Sequence, residues 1–267
     1  MTLPCRVAVL TSGPALGYGV QEFIRQLEAH PGIELAAVIW QTQDPTFRGV
    51  VVDLWRRRRW LALPLLARKY LGSAVRFLMH PVHALELART LRAVRARIHC
   101  FEDIHSSRSL QTLRECRARV SLVYGAPIIR RSLYDLAPLG SLGIHHGRVP
   151  EYRGKKTTFW EIYHGEPVAG VTIQQIGDAL DGGDVIESGA VPVGITPPWL
   201  VWKRLERLGF SLYIRAIEDV CSGQANHRRQ QGQLHPPCRD PSPADIARFW
   251  LRYLRRLGRA LLRGGAR

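Results

Sequence analysis

Two continuous apolar runs, at residues 6–10 and 33–40, most constrain the fold, and a helical pattern over 21–29 separates them. Strands that are apolar on both faces are typical of a parallel sheet with helices on each side. The first run ends at Ser12 and Gly13, which predicts a β-loop-α connection of the kind where α/β folds bind anions and nucleotides. The chain is therefore predicted to be an α/β protein with a Rossmann-like, mostly parallel sheet and flanking helices.

Polar residues follow two later strands. Residues 140–145 are predicted to form a short buried strand, and the glycines and proline after it exclude a continued strand or a helix, so His145 lies at a strand end facing a loop. Residues 170–176 form the next predicted strand, which is followed by a glycine-rich loop that carries Asp181. An imidazole and a carboxylate on neighbouring loops predict proton-transfer chemistry on an amine.

Each of these residues also has a structural interpretation. His145 alone is typical of a strand-end histidine bonded to backbone, and Asp181 in Leu-Asp-Gly-Gly is typical of an Asx-type turn. Arg153 is interpreted either as an anion ligand or as a member of a structural ion pair. The occurrence of both motifs in succession favours a functional pair of His145 and Asp181.

Four motifs carry a resemblance to a known family. They are His-x-x-x-x-Pro-x-Tyr-Arg-Gly from 145, Phe-Trp-Glu-Ile-Tyr-x-Gly-Glu from 159, Gly-Val-Thr-Ile from 170 and Leu-Asp-Gly-Gly-Asp from 180. Together they resemble the folate-dependent formyltransferases, which include the glycinamide ribonucleotide, methionyl-tRNA and nucleotide-linked amino-sugar enzymes. The similarity is dense over about 119–195, thinner over 5–41, and fades over 45–105 and after about 223.

The resemblance implies a catalytic domain that moves a formyl group from 10-formyltetrahydrofolate to a primary amine, using an Asn, a His and an Asp. His145 and Asp181 take the His and Asp positions, but Gly143 stands at the Asn position. The family Asn is expected to stabilise the oxyanion, and losing one such donor typically costs on the order of 10²–10³ in rate. Alternative donors from the same loop are His146, Lys155, Lys156 or a water held by the Gly143 backbone.

The same resemblance implies binding residues for the two substrates. The predicted cofactor contacts, on the loop after residues 119–124 and near the later aspartate, are Tyr124, Gly125, Ala126, Pro127, Ile128 and Asp178. Glycinamide ribonucleotide formyltransferases cradle a phosphate after the first strand, so the predicted substrate ligands are Ser12, Gly13, Arg153 and Lys155. An ordinary connection is the alternative at the first strand, because Pro14 removes a backbone donor. The loosely spaced His80, His83 and Glu86 lack a further ligand, and no metal site is predicted.

Positive charge is concentrated outside these motifs. The chain has 38 Lys and Arg against 22 Asp and Glu; residues 48–119 hold 16 and 5 of them, and residues 239–267 hold 8 and 2. We predict a catalytic domain at 1–222 with an inserted helical segment at about 49–105, whose helices cover 55–60, 61–70 and 85–94. Residues 223–267 are predicted to be a linker followed by a basic amphipathic helix.

The basic helix, predicted over 247–262, interleaves arginines with Trp, Phe and Leu. Three roles fit this pattern: packing on the catalytic domain with solvated arginines, contact with a membrane surface, or contact with an RNA backbone. No run of 18 apolar residues predicts a membrane-spanning helix. Five cysteines without a Cys-x-x-Cys pair and without an N-terminal leader predict a cytoplasmic protein, to which the basic helices add peripheral contact with the inner face of a membrane.

We predict an enzyme that N-formylates a small amine, namely a nucleotide- or lipid-linked amino sugar, because the basic segments suit phosphate-bearing or membrane-bound substrates. Two alternatives remain. Gly143 motivates a catalytically weakened family member that binds folate or substrate, or acts as a scaffold. The third hypothesis is a formyltetrahydrofolate hydrolase, in which water replaces the amine.

Overall fold

The computed structural model describes residues 4–13, 15–42, 78–231 and 235–264, together with 51, 52, 55, 71 and 75. The chain divides into two compact units, Met1–Ser141 and Leu142–Arg267. The predicted helix over 61–70, and all but the first residue of the one over 55–60, lie outside the described residues.

The first unit contains a parallel sheet in the order β3-β2-β1-β4. Its strands are β1 (Cys5–Ser12), β2 (Ile33–Gln41), β3 (Ile98–Phe101) and β4 (Val120–Val123). Residues 7–10 are fully buried, as expected for a strand covered on both faces. Both apolar runs that opened the sequence are therefore confirmed as central strands.

Helices flank this sheet. They are α1 (Tyr18–Ala29), α2 (Pro81–Ala93), a short 3-10 helix (Arg95–Arg97), α3 (Ser107–Glu115) and α4 (Arg131–Tyr134). Helix α1 buries Phe23, Ile24 and Leu27. Helix α2 confirms the helix predicted over 85–94.

Strand β3 corrects the predicted helical segment at 49–105. Ile98–Phe101 pairs in parallel with β2, and Thr42 N donates to Phe101 O at 2.8 Å. Because Ile-His-Cys-Phe is only four residues long, its alternation is too short to distinguish a strand from the end of a helical pattern. The segment therefore returns to the sheet before residue 105.

The second unit contains an antiparallel sheet in the order β5-β6-β7. The strands are β5 (Ser141–His145), β6 (Val168–Gln175) and β7 (Val185–Pro192), and the helices are α5 (Thr157–His164), α6 (Pro198–Ser222) and α7 (Pro243–Gly264). Helix α6 covers one face of the sheet, where a Cβ at Gly209 would lie 2.7 Å from Ile144 Cδ1 and 3.0 Å from Val171 Cγ2. Three of the five described strand pairings are parallel, and the predicted α/β class is confirmed.

The segment predicted as a linker is instead hydrogen-bonded along its length. We call residues 228–231 and 235–240 the strap. Arg228 exchanges two backbone hydrogen bonds with Val185, and Cys238 N donates to Arg153 O at 2.7 Å. The strap therefore belongs to the same compact unit as His145 and Asp181.

Helix α7 packs against α5. The Phe249 and Phe159 rings stack with centroids 4.7 Å apart, and Arg256 Nη2 donates to the Ile162 carbonyl at 2.9 Å. On this face α7 adopts the packing role that was one of the three interpretations of the basic helix.

Candidate active site

The antiparallel pairing of β5 and β6 determines which side chains share a face. Gly143 lies opposite Gln174, and His145 lies opposite Thr172. Because successive strand residues point to opposite faces, these four residues lie on one face of the sheet. Ile144 lies on the other face, against α6.

His145 and Asp181 are in contact. His145 Nδ1 lies 3.4 Å from Asp181 Oδ1, and His145 Nε2 lies 2.7 Å from the Tyr152 carbonyl oxygen. The residue is 7% exposed. A carbonyl oxygen only accepts, so Nε2 carries a proton, and an imidazolium would donate at both nitrogens. His145 is thus both bonded to backbone, as the structural interpretation required, and adjacent to the predicted carboxylate.

Asp181 connects the two loops. Its Oδ2 accepts from Gly154 N at 2.7 Å, and its Oδ1 accepts from Gln174 Nε2 at 3.3 Å. The backbone of Asp181 is left-handed, with φ 48°, a conformation that Asp tolerates better than most residues. Its carboxylate is therefore held by donors from the other loop and from β6, rather than by a local Asx turn alone.

The space beside Gly143 is apolar. A Cβ at this position would lie 2.5 Å from Ile176 Cδ1, so the isoleucine side chain occupies the position that an Asn side chain would enter. His146 lies on the α6 side of the sheet, where its ring packs on that of Trp202, with ring centroids 4.5 Å apart. Lys155 Nζ pairs with Asp240 at 2.9 Å, and Lys156 is exposed. His146 therefore does not replace the family Asn, and Lys155 is paired elsewhere.

The protonation of His146 follows from its burial. Desolvation, with a smaller effect of His145, lowers the pKa of His146 to about 4. Its Nε2 is buried without a hydrogen-bond partner in the described part of the chain. The ring is therefore neutral at physiological pH.

Arg153 has a structural role. The side chain is 7% exposed, and its guanidinium donates to the Leu180 carbonyl through Nε at 2.8 Å and also through Nη2, and to the His235 carbonyl through Nη1 at 3.1 Å. These contacts hold the Asp181 loop and the strap together. They correspond to a structural function rather than to the predicted anion ligand.

A buried carboxylate fixes the loop after β5. Glu161 is fully buried, and its Oε1 accepts from Arg148 N, Arg148 Nε and Gly170 N, each at 3.2 Å. Burial raises the pKa of Glu161 to about 7, against the opposing effect of these donors. Sequence reasoning missed this role, because the Glu161 pattern is that of an ordinary amphipathic helix.

In the first unit, two predicted loops meet. Ser12 Oγ donates to the Gly125 carbonyl at 2.7 Å, and Ser12 N donates to the same oxygen at 3.1 Å. Gly13 N donates to Gln41 O at 3.1 Å. Since both amides donate into the fold, the predicted phosphate cradle on Ser12 and Gly13 is not formed by these groups.

The predicted folate loop lies beside this connection. Tyr124 stacks on Phe23 with ring centroids 5.6 Å apart, and Gly125 has φ 67°, a conformation that favours glycine. Ile128 is 77% exposed, so core packing, the alternative for this residue, does not apply. Ala126 and Pro127 are half-buried, and Asp178, in the second unit, is exposed.

Two glutamines were missed by sequence reasoning. Gln174 is 3% exposed and bonds Asp181, and Gln230 of the strap bonds Gln174. The alternation of β6 could have placed Gln174 on the His145 face, but nothing local indicated Gln230. In the described residues, no group of three or more His, Cys, Asp or Glu is arranged to hold a metal ion.

Comparisons with known proteins show which proteins the chain is similar to. Residues 104–216 match the family model described as formyl transferase. A methionyl-tRNA formyltransferase from Syntrophus aciditrophicus is 32% identical over 111 residues, which are 40% of this chain and 35% of the relative. The chain thus matches only about a third of that relative's length.

Two solved structures show the fold. A glycinamide ribonucleotide transformylase from Symbiobacterium toebii has a TM-score of 0.58 at 17% identity, covering 85% of this chain and 93% of its own. A sugar N-formyltransferase from a Shewanella species has a TM-score of 0.58 at 10% identity, covering 92% of this chain and 86% of its own. At these identities the likeness defines a shared formyltransferase fold, and the reacting amine must be argued from the site.

Proposed function

We propose that this protein transfers a formyl group from 10-formyltetrahydrofolate to a primary amine. The observation that carries the proposal is the 3.4 Å contact between His145 and Asp181, on two loops within the segment that matches the formyl transferase family. The exposed Ile128 side chain and the left-handed Gly125 fit a ligand-facing loop for the folate. The folate would supply the formyl carbon.

The proposed chemistry assigns different roles to the two groups. The neutral amine attacks the formyl carbon, a C–N bond forms, and the carbonyl electrons move to oxygen. As the bond to the donor nitrogen breaks, that nitrogen takes up the proton that the amine loses. The Asp181 side chain is 17% exposed and that of His145 8%, so the carboxylate is the more accessible proton acceptor. An imidazolium at His145, hydrogen-bonded to both Asp181 and the Tyr152 carbonyl, would stabilise the Asp181 carboxylate and the developing oxyanion electrostatically.

The proposed acceptor is a nucleotide- or lipid-linked amino sugar. The shared fold with a sugar N-formyltransferase supports an amino-sugar acceptor. The excess of Lys and Arg over Asp and Glu supports an acceptor that bears phosphate. A panel of amines tests this assignment. Faster turnover with a phosphate-linked amino sugar than with the free sugar supports it, and equal rates contradict it.

Release of tetrahydrofolate by the purified protein tests the activity. We expect release to depend on the amine and to fall by about 10²–10⁴ in Asp181→Asn and His145→Ala, the usual contribution of acid–base groups. Asp219→Asn, on α6, is the control and should leave the rate unchanged. Release without an amine would identify the hydrolase alternative. Folate binding without turnover would identify the binding or scaffolding alternative.

We also propose that the outward face of α7 contacts an anionic membrane surface, at the cytoplasmic side. Trp250, Leu251 and Leu254 are 44%, 49% and 58% exposed, whereas Phe249 is 5% exposed. On a helix of 3.6 residues per turn they form one apolar sector, bordered by the exposed Arg248, Arg255 and Arg259. In the described residues, no helix is long and apolar enough to cross a bilayer.

Vesicle flotation tests this surface. The protein should bind phosphatidylglycerol-containing vesicles and lose most of this binding in the double variant Trp250→Ser, Leu254→Ser. Leu85→Ser, which changes an apolar residue on α2 that is 47% exposed, is the control. Equal binding by all three proteins would contradict the assignment. Binding to single-stranded RNA that the α7 variant abolishes, without vesicle binding, would favour RNA.

A further inference from the structure

Two side-chain amides connect the strap to Asp181. Gln230 Nε2 lies 2.9 Å from the Asp181 carbonyl oxygen, 2.9 Å from the Gly183 carbonyl oxygen and 3.2 Å from Gln174 Oε1. Gln174 Nε2 in turn lies 3.3 Å from Asp181 Oδ1. The chain of contacts therefore runs from the strap to the carboxylate that faces His145.

The orientation of both amides follows from their partners. Backbone carbonyls only accept, so the group of Gln230 that faces Asp181 and Gly183 must be its NH₂. The Gln174 atom beside this NH₂ must then be its oxygen, and this turns the Gln174 NH₂ toward Asp181. Gln230 Oε1 is buried without a partner in the described structure, so the donor contacts outweigh the cost of an unsatisfied acceptor.

We propose that Gln230 is a positioning residue for formyl transfer: it orients the Gln174 amide so that this amide donates to Asp181 and holds the carboxylate against His145. The proposal rests on the proposed function. Gln230 touches the Asp181 backbone and the Gln174 side chain, and it acts on the reaction only through them. Gln230, on a segment that follows α6, thereby acts together with the residues that hold Asp181 in place.

Replacing the Gln230 amide donor with an acceptor should reverse the orientation of the Gln174 amide. In Gln230→Glu the strap presents an acceptor, so the Gln174 NH₂ should turn toward the strap and its oxygen toward Asp181 Oδ1. We expect kcat to fall about tenfold to a hundredfold with little change in KM. Gln230→Met, which removes the donor without adding charge, should lower kcat less. Gln231→Glu makes the same charge change one residue further, at an exposed position, and should leave both constants unchanged.

Amide NMR provides a measurement that does not depend on turnover. The Gln174 side-chain NH₂ signals, assigned by their loss in Gln174→Met, should move in Gln230→Glu and stay in place in Gln231→Glu. Unmoved signals, or a kcat within twofold of wild type in a folded Gln230→Glu protein, would overturn the proposal. If the wild-type protein transfers no formyl group, the proposed function fails, while the NMR signals still decide whether Gln230 orients Gln174.

Discussion

The two faces of the β5-β6-β7 sheet are built differently. On one face, Ile144 and Val171 pack against Gly209 of α6, and the contacts are apolar. On the other face, His145, Thr172 and Gln174 are all buried, and each is hydrogen-bonded. An apolar face needs only a cover of suitable shape, whereas a buried polar face needs a specific partner for each group. The polar partners come from loops and from the strap, and that face carries the proposed chemistry.

The pKa of one side chain on each face is strongly shifted, and the two shifts have opposite directions. On the polar face, Glu161 has a pKa of about 7 against an ordinary value of 4.5. The folded state therefore holds its proton more tightly, so the contribution of Glu161 to stability is complete below about pH 4.5 and is lost as the pH rises through 7. We expect the stability of the wild type relative to Glu161→Gln to fall by about 3 kcal/mol over this range.

Denaturant unfolding at half-unit pH steps checks this expectation. Glu151→Gln, at an exposed position in the loop after β5, is the control, and its unfolding free energy should change with pH as that of the wild type does. A Glu161→Gln protein that also runs parallel would show that the polar face holds this carboxylate without a cost of burial.

On the α6 face, His146 shows the opposite dependence. Its pKa is lowered from 6.5 to about 4, so the unfolded state binds the proton first, and stability is lost as the pH falls from 6.5 toward 4. His146→Phe keeps a ring against Trp202 and removes the titration. The stability of the wild type relative to this variant should decrease by about 3 kcal/mol on acidification.

The same unfolding series tests His146, with His227→Phe at an exposed position as the control. Equal acid sensitivity of His146→Phe and the wild type would contradict the assignment of a neutral ring with a buried Nε2. In the wild type the two slopes overlap and largely offset one another, so only the single variants reveal them.

The two faces also differ in how much the sequence could predict. The strand at 140–145 and the apolar runs at 6–10 and 33–40 were predictable, because the signal for each lies within a few consecutive residues. The His145–Asp181 pair was placed by motif resemblance. Gln230 was not predictable, because its role depends on a return of the chain to β7 that begins beyond α6. The short β3 was missed because four residues do not define a period.

Close packing on the α6 face predicts a smaller change in unfolding free energy than the two titrations do. A Cβ at Gly209 would meet Ile144 and Val171 within 3.0 Å, whereas a Cβ at Gly258 of α7 would meet nothing within 4 Å. Both glycines are helical, so replacing either by Ala gives a similar gain in helix propensity. We expect Gly209→Ala to be less stable than Gly258→Ala by about 1–3 kcal/mol, the usual cost of overpacking. Equal unfolding free energies would mean that the sheet and α6 separate at little cost.

The smallest expected effect concerns the apolar space within the polar face. An Asn at position 143 would collide with Ile176 Cδ1, the atom that Ile176→Val removes. Gly143→Asn alone should therefore destabilise the protein, and the double variant Gly143→Asn, Ile176→Val should recover about 1 kcal/mol beyond the sum of the two single changes. A double-mutant cycle of unfolding free energies measures this coupling, with Ile176→Val as the matched single variant.

If the added amide reaches the oxyanion, kcat/KM for formyl transfer should also rise in the double variant relative to Ile176→Val. If the changes in unfolding free energy are additive, the Ile176 side chain moves away from the asparagine introduced at position 143 without a cost in stability. The missing oxyanion donor would then follow from the glycine at position 143 alone.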